Sequence, residues 1–346
     1  MSALPDSMLV SAMTELGKAA IEERPLPAMR DDEVLVRVEA VGVCGSDTHF
    51  FIEGHIGDMK VECPFVLGHE FGGVVVAAGS AVSPERIGDR VAVEPHRPCG
   101  VCHYCKIGLY NLCPNVEFLA APPVDGAFAQ YITIRADMAH TLPDSISFEE
   151  AALLEPLSVG IWAAHKAQVG AGDRVLVAGA GPVGILAAQV AQAFGASEVI
   201  VSDISESRLE AAKKLGASRT ILATDPELID LGVDVFIDAS GAAPAVVSGM
   251  RATRAAGRVV LVGMGAEELT IPLAVIQHRE LTVVGVFRYA NTWPTAIDLV
   301  TTNRVNLLPL VTDKFSLEQT AEALMAASRV PGSLKSMVYP NGIPTA

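Results

Sequence analysis

The sequence of 346 residues contains no cluster of lysine and arginine longer than a pair. It carries 25 Lys and Arg against 40 Asp and Glu, which gives a formal net charge of −15. Because proteins hold nucleic acid mainly through cationic contacts to its phosphates, this charge balance argues against a nucleic-acid partner. The opening residues, MSALPDSMLVSAM, also lack the cationic start and apolar run of a secretory signal. We therefore expect a cytoplasmic protein.

The sequence also lacks an internal repeat, a low-complexity tract and a flexible linker. Residues 175–197 carry no charged side chain, but they include the hexamer GAGPVG and two Gln, which suit a buried strand, turn and helix better than a membrane span. We therefore expect no membrane partner. The length, together with a hydrophobic content of 50%, predicts two domains with separate cores.

Two hydrophobic patterns divide the chain. From about residue 32 to 136, short Val-rich runs are separated by Gly and Pro, which predicts a β-rich domain. From about residue 173 to 287, short apolar runs alternate with helical stretches, which predicts a doubly wound parallel sheet in an α/β protein. The predicted strands of that sheet are VLVAG, EVIVS, RTIL, VDVFID, RVVLVG and LTVVGVF.

The segments around the second domain give weaker signals. Ser147 and Glu150 have the spacing of a capping box that opens a helix, and Pro156 predicts a break in that helix. After Phe287 the sequence predicts a helix, a loop and a second helix, which could pack back on the first domain.

The hexamer GAGPVG predicts a dinucleotide site, because it follows the run VLVA and opens a helix. Gly179 permits a tight turn, Gly181 lets the backbone approach a pyrophosphate, and Gly184 allows the helix to pack close to the strand. Pro182 suits the first helical turn, and Gly195 suits the end of that helix.

Asp203 follows the next predicted strand, where its carboxylate can accept both hydroxyls of the adenosine ribose. A carboxylate there would repel a 2′-phosphate, so we predict NAD rather than NADP. Arg208 could attract a phosphate, but beside Asp203 we expect it to lie along the adenine.

Four of the six cysteines lie close together with the spacing C-x2-C-x2-C-x7-C: Cys99, Cys102, Cys105 and Cys113. Thiols in a reducing cytosol rarely form structural disulfides, whereas four thiolates can surround one tetrahedral Zn²⁺ and leave no position for water. We therefore predict a structural zinc site, with an iron–sulfur cluster as the alternative. We expect Cys63 to be a buried free thiol.

A second group of metal-binding side chains lies earlier, in GVCGSDTH and GHEFGG. Cys44, His69 and Glu70 offer one sulfur, one imidazole and one carboxylate, which suits Zn²⁺ with an open coordination position. Glu155, in ALLEPLSVG, is a further candidate ligand.

These motifs, in this order, resemble the zinc-dependent medium-chain dehydrogenase/reductase superfamily. EPLSVG and GVFRYANTWP are most similar to its polyol branch, the sorbitol and xylitol dehydrogenases. The resemblance implies a β-rich GroES-like catalytic domain at residues 1–157 and 289–346, and an NAD-binding Rossmann domain at residues 158–288. It also implies reversible, NAD-dependent oxidation of a secondary hydroxyl of a polyol to the ketose, two zinc ions per chain (one catalytic, one structural), and a homotetramer.

The same resemblance assigns roles to individual residues. The catalytic zinc would be held by Cys44, His69 and Glu70, with Glu155 contacting or replacing the zinc-bound water. Ser46 and His49 match a proton relay. The implied cofactor contacts are Gly179, Gly181, Pro182, Val183, Gly184, Asp203, Arg208, Val262, Gly263, Met264, Val286, Phe287 and Arg288. The implied substrate contacts are Phe50, Phe118, Glu155, Arg288 and Tyr289.

Two positions depart from the animal sorbitol dehydrogenases. Phe50 stands where they have a Tyr, and Ala121 stands where they have a Thr, so fewer hydroxyl groups are available to a polyol. A dehydrogenase for another secondary alcohol, such as a sugar acid, butanediol or threonine, is the first alternative. A non-catalytic NAD-binding sensor is the second, although a sensor needs no catalytic zinc ligands.

Overall fold

A computed structural model describes residues 4–330 and 332–344. The contacts within the chain divide it into two units, one formed by Met1–Glu155 with Leu310–Ala346 and the other by Pro156–Pro309. The second boundary differs from the predicted one, because residues 289–309 belong to the second unit. Gln189 shows why: its side chain donates to the backbone oxygen of Asn306 at 3.1 Å and accepts from the nitrogen of Asn306 at 2.8 Å.

Strands and helices follow one another along the chain. Up to the middle of the chain they are β1 Ser7–Glu15, β2 Lys18–Pro25, β3 Glu33–Gly42, α1 Gly45–Glu53, β4 His55–Ile56, β5 Met59–Lys60, β6 Phe65–Val66, β7 Glu70–Ala78, β8 Arg90–Val93, β9 His96–Arg97, α2 His103–Lys106, β10 Glu117–Phe118, β11 Tyr131–Arg135, β12 Ala139–Thr141 and α3 Phe148–Lys166. They continue as β13 Arg174–Ala178, α4 Pro182–Ala193, β14 Glu198–Asp203, α5 Glu206–Lys214, β15 Arg219–Leu222, β16 Val233–Asp238, α6 Ala243–Ala252, β17 Thr253–Leu261, α7 Leu273–Arg279, β18 Thr282–Gly285, α8 Trp293–Thr301, β19 Val311–Ser316, α9 Thr320–Arg329 and β20 Lys335–Tyr339.

A seven-stranded sheet organises the first unit. Its strand order is β12-β8-β7-β3-β20-β19, and β11 also pairs with β3. Val34, Val36 and Val38 of β3 are fully buried in the hydrophobic core, as the Val-rich alternation predicts. At the end of β3, Gly42 lies opposite Glu70, the first residue of β7. This register brings the segment that carries Cys44 beside the segment that carries His69 and Glu70.

The C-terminal strands were not predicted. Helices α8 and α9 are present where the sequence indicates helices, but β19 and β20 lie between and after them. Strand β20 pairs with β3, with Met337 opposite Gly42 and Val338 opposite Val41. Pairing with a strand almost a whole chain length away leaves no local signal, so sequence periodicity alone did not separate these strands from loops.

The second unit contains a six-stranded parallel sheet with the order β15-β14-β13-β16-β17-β18. All six strands correspond to the six predicted apolar runs, so the doubly wound fold is confirmed. Val175, Leu176 and Val177 of β13 are fully buried, as expected for a strand covered on both faces. The turns after β13, β14, β16, β17 and β18 lie at the carboxyl edge of this sheet, where doubly wound folds bind ligands.

Helix α3 confirms one prediction and contradicts another. Ser147 Oγ accepts from the nitrogen of Glu150 at 3.2 Å, and Glu150 Oε2 accepts from the nitrogen of Ser147 at 2.8 Å, so the capping box is present. The predicted break at Pro156 is wrong, because α3 continues from Phe148 to Lys166. Residues on both sides of Pro156 are buried, and this packing offsets the lost backbone hydrogen bond. Within the described part of the chain, no helix is both long and apolar enough to cross a membrane.

Candidate active site

Cys44, His69 and Glu70 form a compact group of metal-ligand side chains. Their donor atoms all lie within 4.8 Å of one another. Cys44 stands at the N-terminus of α1, and His69 directly precedes β7, which begins with Glu70. Glu155 is also buried but is not part of the set whose donor atoms all lie within that distance. The three-residue group predicted from the sequence is therefore assembled in the fold.

Gly42 leaves the space that the Glu70 carboxylate occupies. A Cβ atom at position 42 would lie 2.4 Å from Glu70 Oε2, well inside van der Waals contact. Since these residues face each other across β3 and β7, only glycine lets the carboxylate reach this position. We did not predict a role for Gly42 from the sequence.

Asp47 is a second residue whose role we did not predict from the sequence. It is fully buried and accepts hydrogen bonds from the backbone nitrogens of Cys44 and Gly68, each at 3.0 Å. Its Oδ1 lies 3.4 Å from Nδ1 of His69, so that nitrogen faces the carboxylate and Nε2 remains for a metal. Burial lowers the pKa of His69, but Asp47 and Cys44 outweigh this effect and raise it well above its ordinary value. The surroundings of His69 therefore favour a positive charge at this position, which a metal ion would also supply.

Lys335, at the start of β20, also lies beside this group. Its Nζ donates to Oε1 and Oε2 of Glu70 at 2.9 and 2.7 Å and to the backbone oxygen of Val43 at 2.8 Å. Burial lowers the pKa of Lys335, but Glu70 and Cys44 together raise it, so the side chain is an ammonium group. Nothing in the local sequence GSLKSMVYP points to this role.

Four further predicted residues lie on α1 and β10. Ser46 and His49 are one helical turn apart on α1, and Nδ1 of the half-exposed His49 lies 3.3 Å from Glu53 Oε1. Phe50, a predicted substrate contact, is buried in the hydrophobic core of the first unit. Phe118 packs against the ring of His69, with ring centroids 5.5 Å apart.

The glycine-rich turn between β13 and α4 has the predicted geometry. Gly179 adopts φ +97°, and a Cβ on Gly184 would lie 1.8 Å from the backbone oxygen of Gly179. Gly181 precedes Pro182, the first residue of α4, and a Cβ there would meet nothing within 4 Å. The helix N-terminus is thus left open, as a pyrophosphate site requires.

Asp203 ends β14 and holds the neighbouring turns. Its Oδ2 accepts from the nitrogen of Ala180 at 2.7 Å and its Oδ1 from the nitrogen of Ser205 at 2.8 Å. Each carboxylate oxygen keeps a second lone pair for a ribose hydroxyl. Arg208, the neighbouring residue that we expected along the adenine, lies on α5.

The remaining predicted cofactor residues follow the last two parallel strands. Val262, Gly263 and Met264 follow β17, and a Cβ on Gly263 would lie 2.1 Å from the nitrogen of Gly241. After β18 come Val286, Phe287 and Arg288, and the Arg288 guanidinium lies 4.7 Å from the centre of the Phe287 ring. Tyr289, a predicted substrate contact, is fully buried in the second unit, its ring 6.2 Å from that of Trp293.

Comparison with known proteins agrees with this geometry. Residues 30–144 match the model of the alcohol dehydrogenase GroES-like domain, and residues 182–302 match that of the zinc-binding dehydrogenases. The sorbitol dehydrogenase of Bacillus subtilis is 45% identical over 98% of this chain and 99% of its own length, and that of Mus musculus is 45% identical over 93% of each chain. A solved structure described as a short chain alcohol dehydrogenase from Escherichia coli, complexed with NADH, superposes with a TM-score of 0.91 at 29% identity, covering 97% of this chain and all of that one.

This chain belongs to the zinc-binding dehydrogenase family.

The four-cysteine cluster of this dehydrogenase fits a zinc ion in its donor atoms and their spacing. Sγ of Cys105 lies 3.5 Å from that of Cys102 and 4.0 Å from that of Cys99. Sulfur atoms around a tetrahedral zinc, with Zn–S of about 2.3 Å, are about 3.8 Å apart. Burial and the Cys102 thiol raise the pKa of Cys105, so a bound cation would favour its thiolate form. Cys113 completes the group.

The cysteine loop of the dehydrogenase is attached to the sheet through Glu94. Tyr110 of the loop donates to Glu94 Oε1 at 2.7 Å, and Nε2 of His140 on β12 lies 3.0 Å from Oε2. Burial raises the pKa of Glu94, but its bonds to His140, His96 and Tyr110 together lower it to about 2. In the sequence, Glu94 is marked only by its position after an apolar strand, and we did not predict a role for it.

Cys63 corrects one prediction. It is exposed, between β5 and β6, and not buried as expected for an apolar free thiol. The short segment that carries it lies at the surface, since Glu62 and Pro64 are exposed as well.

Proposed function

We propose that this dehydrogenase oxidises a secondary hydroxyl of a polyol to the ketose, reversibly, with NAD as the hydride acceptor and zinc at Cys44, His69 and Glu70. One observation carries the proposal: a half-buried thiol, a buried imidazole and a buried carboxylate converge in a chain that is 45% identical, over nearly its full length, to a sorbitol dehydrogenase. A sulfur, nitrogen and oxygen ligand set leaves the fourth position of a tetrahedral metal open for substrate.

The side chains around this position have distinct roles. A zinc ion bound there supplies Lewis-acid chemistry that favours loss of the substrate's hydroxyl proton, and NAD supplies the hydride acceptor. Asp47 orients His69 so that Nε2 points to the metal. Phe118, packed on His69, excludes water from that side of the ring. Cys99, Cys102, Cys105 and Cys113 hold the structural zinc.

Two routes could carry the proton to solvent. Ser46 and His49 form one route, and half-exposed His49, next to Glu53, can pass a proton to water. Glu155 forms the other, as a buried base. We expect the variant that interrupts the true route, Glu155→Gln or His49→Ala, to lose one of the two pH-dependent slopes of the pH–rate profile. His55→Ala changes an exposed histidine and should leave the profile unchanged. Unchanged profiles in both test variants would exclude both routes.

NAD is preferred over NADP because the Asp203 carboxylate stands where a 2′-phosphate would lie. In the Rossmann unit the cofactor contacts are Gly179, Gly181, Pro182, Val183, Gly184, Asp203, Arg208, Val262, Gly263, Met264, Val286, Phe287 and Arg288. The substrate contacts we propose are Phe118, Glu155 and Arg288. Phe50 is buried in the first unit and Tyr289 in the second, so we no longer propose them as direct substrate contacts.

The decisive experiment is NAD⁺ reduction with sorbitol, xylitol, ribitol, galactitol, butanediol and threonine, together with zinc analysis. We expect turnover with one or more of the polyols and about two zinc ions per chain. Turnover confined to butanediol or threonine would assign a different secondary alcohol. About one zinc ion per chain without turnover would indicate a non-catalytic sensor.

We further propose a cytoplasmic homotetramer. The resemblance to the polyol dehydrogenases supports it, and so does β18, one of the two edge strands of the parallel sheet in the described residues, which can pair with a second copy. Light scattering coupled to size exclusion would give the mass of four chains of 36.2 kDa, and a monomer mass would contradict the proposal.

A further inference from the structure

Lys335 joins two segments that carry zinc ligands. Its ammonium group contacts both oxygens of Glu70, at 2.9 and 2.7 Å, and the backbone oxygen of Val43, at 2.8 Å. Val43 directly precedes Cys44. The three donors of one ammonium group are therefore used to connect the Cys44 segment to the Glu70 carboxylate.

This contact is enclosed within the first unit. The Lys335 and Glu70 side chains are only 3% and 1% exposed. Burying a charged pair costs desolvation energy that the attraction between the charges only partly repays, so such a pair is weak evidence for a role in stability. A pair that contacts a metal-binding carboxylate has a more direct role, which is to orient the ligand.

The space around Glu70 leaves its carboxylate few alternatives. Gly42 borders Oε2, where even a Cβ atom would lie at 2.4 Å, and Lys335 holds both oxygens from the β20 side. Without Lys335, the buried Glu70 carboxylate would lose the donor that both of its oxygens share.

We propose that Lys335 is a positioning residue for the catalytic zinc: it holds the Glu70 carboxylate and the Cys44 segment at the separation that the metal requires. This inference rests on the proposed function only in that Cys44, His69 and Glu70 bind zinc. It does not depend on which alcohol is oxidised.

The test measures zinc affinity at the two sites of the full-length protein. Native mass spectrometry during titration with a zinc chelator follows the change from two zinc ions to one, and then to none. We expect Lys335→Met to keep the four-cysteine zinc and to bind the other zinc about 10–100-fold more weakly, the usual effect of removing a residue that orients a metal ligand. Lys335→Arg, which keeps the charge and two or more donors, should restore most of that affinity.

Two controls separate positioning from a general loss of stability. Lys314→Met removes a lysine from the neighbouring strand β19, where it pairs with Glu149 at 3.2 Å and is half exposed, and it should leave both zinc affinities unchanged. In a Glu70→Gln background, Lys335→Met should add less than about threefold, because the two residues act through one contact. Cobalt substitution adds a spectroscopic readout, since a displaced carboxylate changes the d–d bands while the Cys44 charge-transfer band persists.

Wild-type zinc affinity in Lys335→Met would overturn the proposal, and so would an undiminished effect of that change in the Glu70→Gln background. Should Lys335→Met fail to fold, Lys335→Gln keeps an N–H donor without the charge, and the same two criteria apply to it. Absence of zinc at this group in the wild-type protein would refute the proposed function and this inference with it. Intact zinc binding without polyol turnover would leave the inference standing.

Discussion

Replacing Gly42 with alanine should separate fold stability from zinc-dependent activity. The added Cβ would lie 2.4 Å from Glu70 Oε2, about 1 Å inside normal contact. The backbone of β3 need not move, because the Glu70 carboxylate is at the end of a side chain and can be displaced, but this displacement strains its buried contact with Lys335. We therefore expect the free energy of unfolding to fall by about 1–3 kcal/mol, the usual range for overpacking.

The Glu70 carboxylate, however, would be displaced by about 1 Å, and a misplacement of about 1 Å can lower an enzyme's rate about a hundredfold. We expect kcat/KM to fall by about that factor and the zinc content to drop from about two ions per chain toward one. Steady-state kinetics, metal analysis and chemical denaturation of the same preparation would measure the three quantities.

Gly45→Ala provides the matched control. Gly45 lies on the other side of Cys44, at the start of α1, and a Cβ there would meet nothing within 4 Å. This variant should keep its zinc and its activity. If Gly42→Ala kept a normal kcat/KM and two zinc ions, Glu70 would not be a ligand in this geometry. If both variants lost kcat/KM and zinc equally, the cause would be a change in the backbone around Cys44 and not the displacement of Glu70.

Three further predictions concern other parts of the molecule. Asp203→Asn should weaken NAD binding by about 10–100-fold, because charge-assisted hydrogen bonds worth about 1.5–3 kcal/mol are lost. It should also reduce the preference for NAD over NADP. Unchanged NAD affinity in calorimetry would contradict this prediction. Gly181→Ala should raise the Kd for NAD at least about tenfold, because its Cβ would occupy the space proposed for the pyrophosphate. The melting temperature should not fall, because that Cβ meets no protein atom within 4 Å. An unaltered Kd would place the pyrophosphate elsewhere. The pKa of Glu94 is lowered from 4.5 to about 2 in the folded state, so its contribution to stability is present above pH 4.5 and is lost as pH falls toward 2. Glu94→Gln should therefore flatten the pH dependence of the unfolding free energy in that window, and a curve parallel to wild type would count against the Glu94 contacts.

The features that the sequence predicted correctly are those with a short-range physical cause. A glycine at 179 is required by a positive φ, and a glycine at 184 by a backbone oxygen five residues earlier, so the spacing itself carries the geometry. The capping box of α3 and the four-cysteine loop are equally local. The six parallel strands were recognisable because strands buried on both faces are continuous apolar runs.

Predictions failed where packing outweighed a local preference. Pro156 disfavours a helix, but α3 is buried around it and remains continuous. Cys63 is of a residue type that is usually buried, yet it lies on an exposed segment. Helix propensity differs between residues by at most about 3 kcal/mol, the value for proline, and tertiary packing can exceed that.

The sequence by itself determined the α/β pattern, the four-cysteine loop and the dinucleotide turn, because each depends on a pattern within one segment. It also identified Cys44, His69 and Glu70 as candidate ligands, but the register of β3 and β7 brings their two segments together. Only the tertiary structure decided what surrounds the Cys44, His69 and Glu70 group. Gly42 lies opposite Glu70 through the register of β3 and β7, and Lys335 reaches Glu70 because β20 pairs with β3. A strand register is a property of two distant segments at once, so no single stretch of sequence contains it.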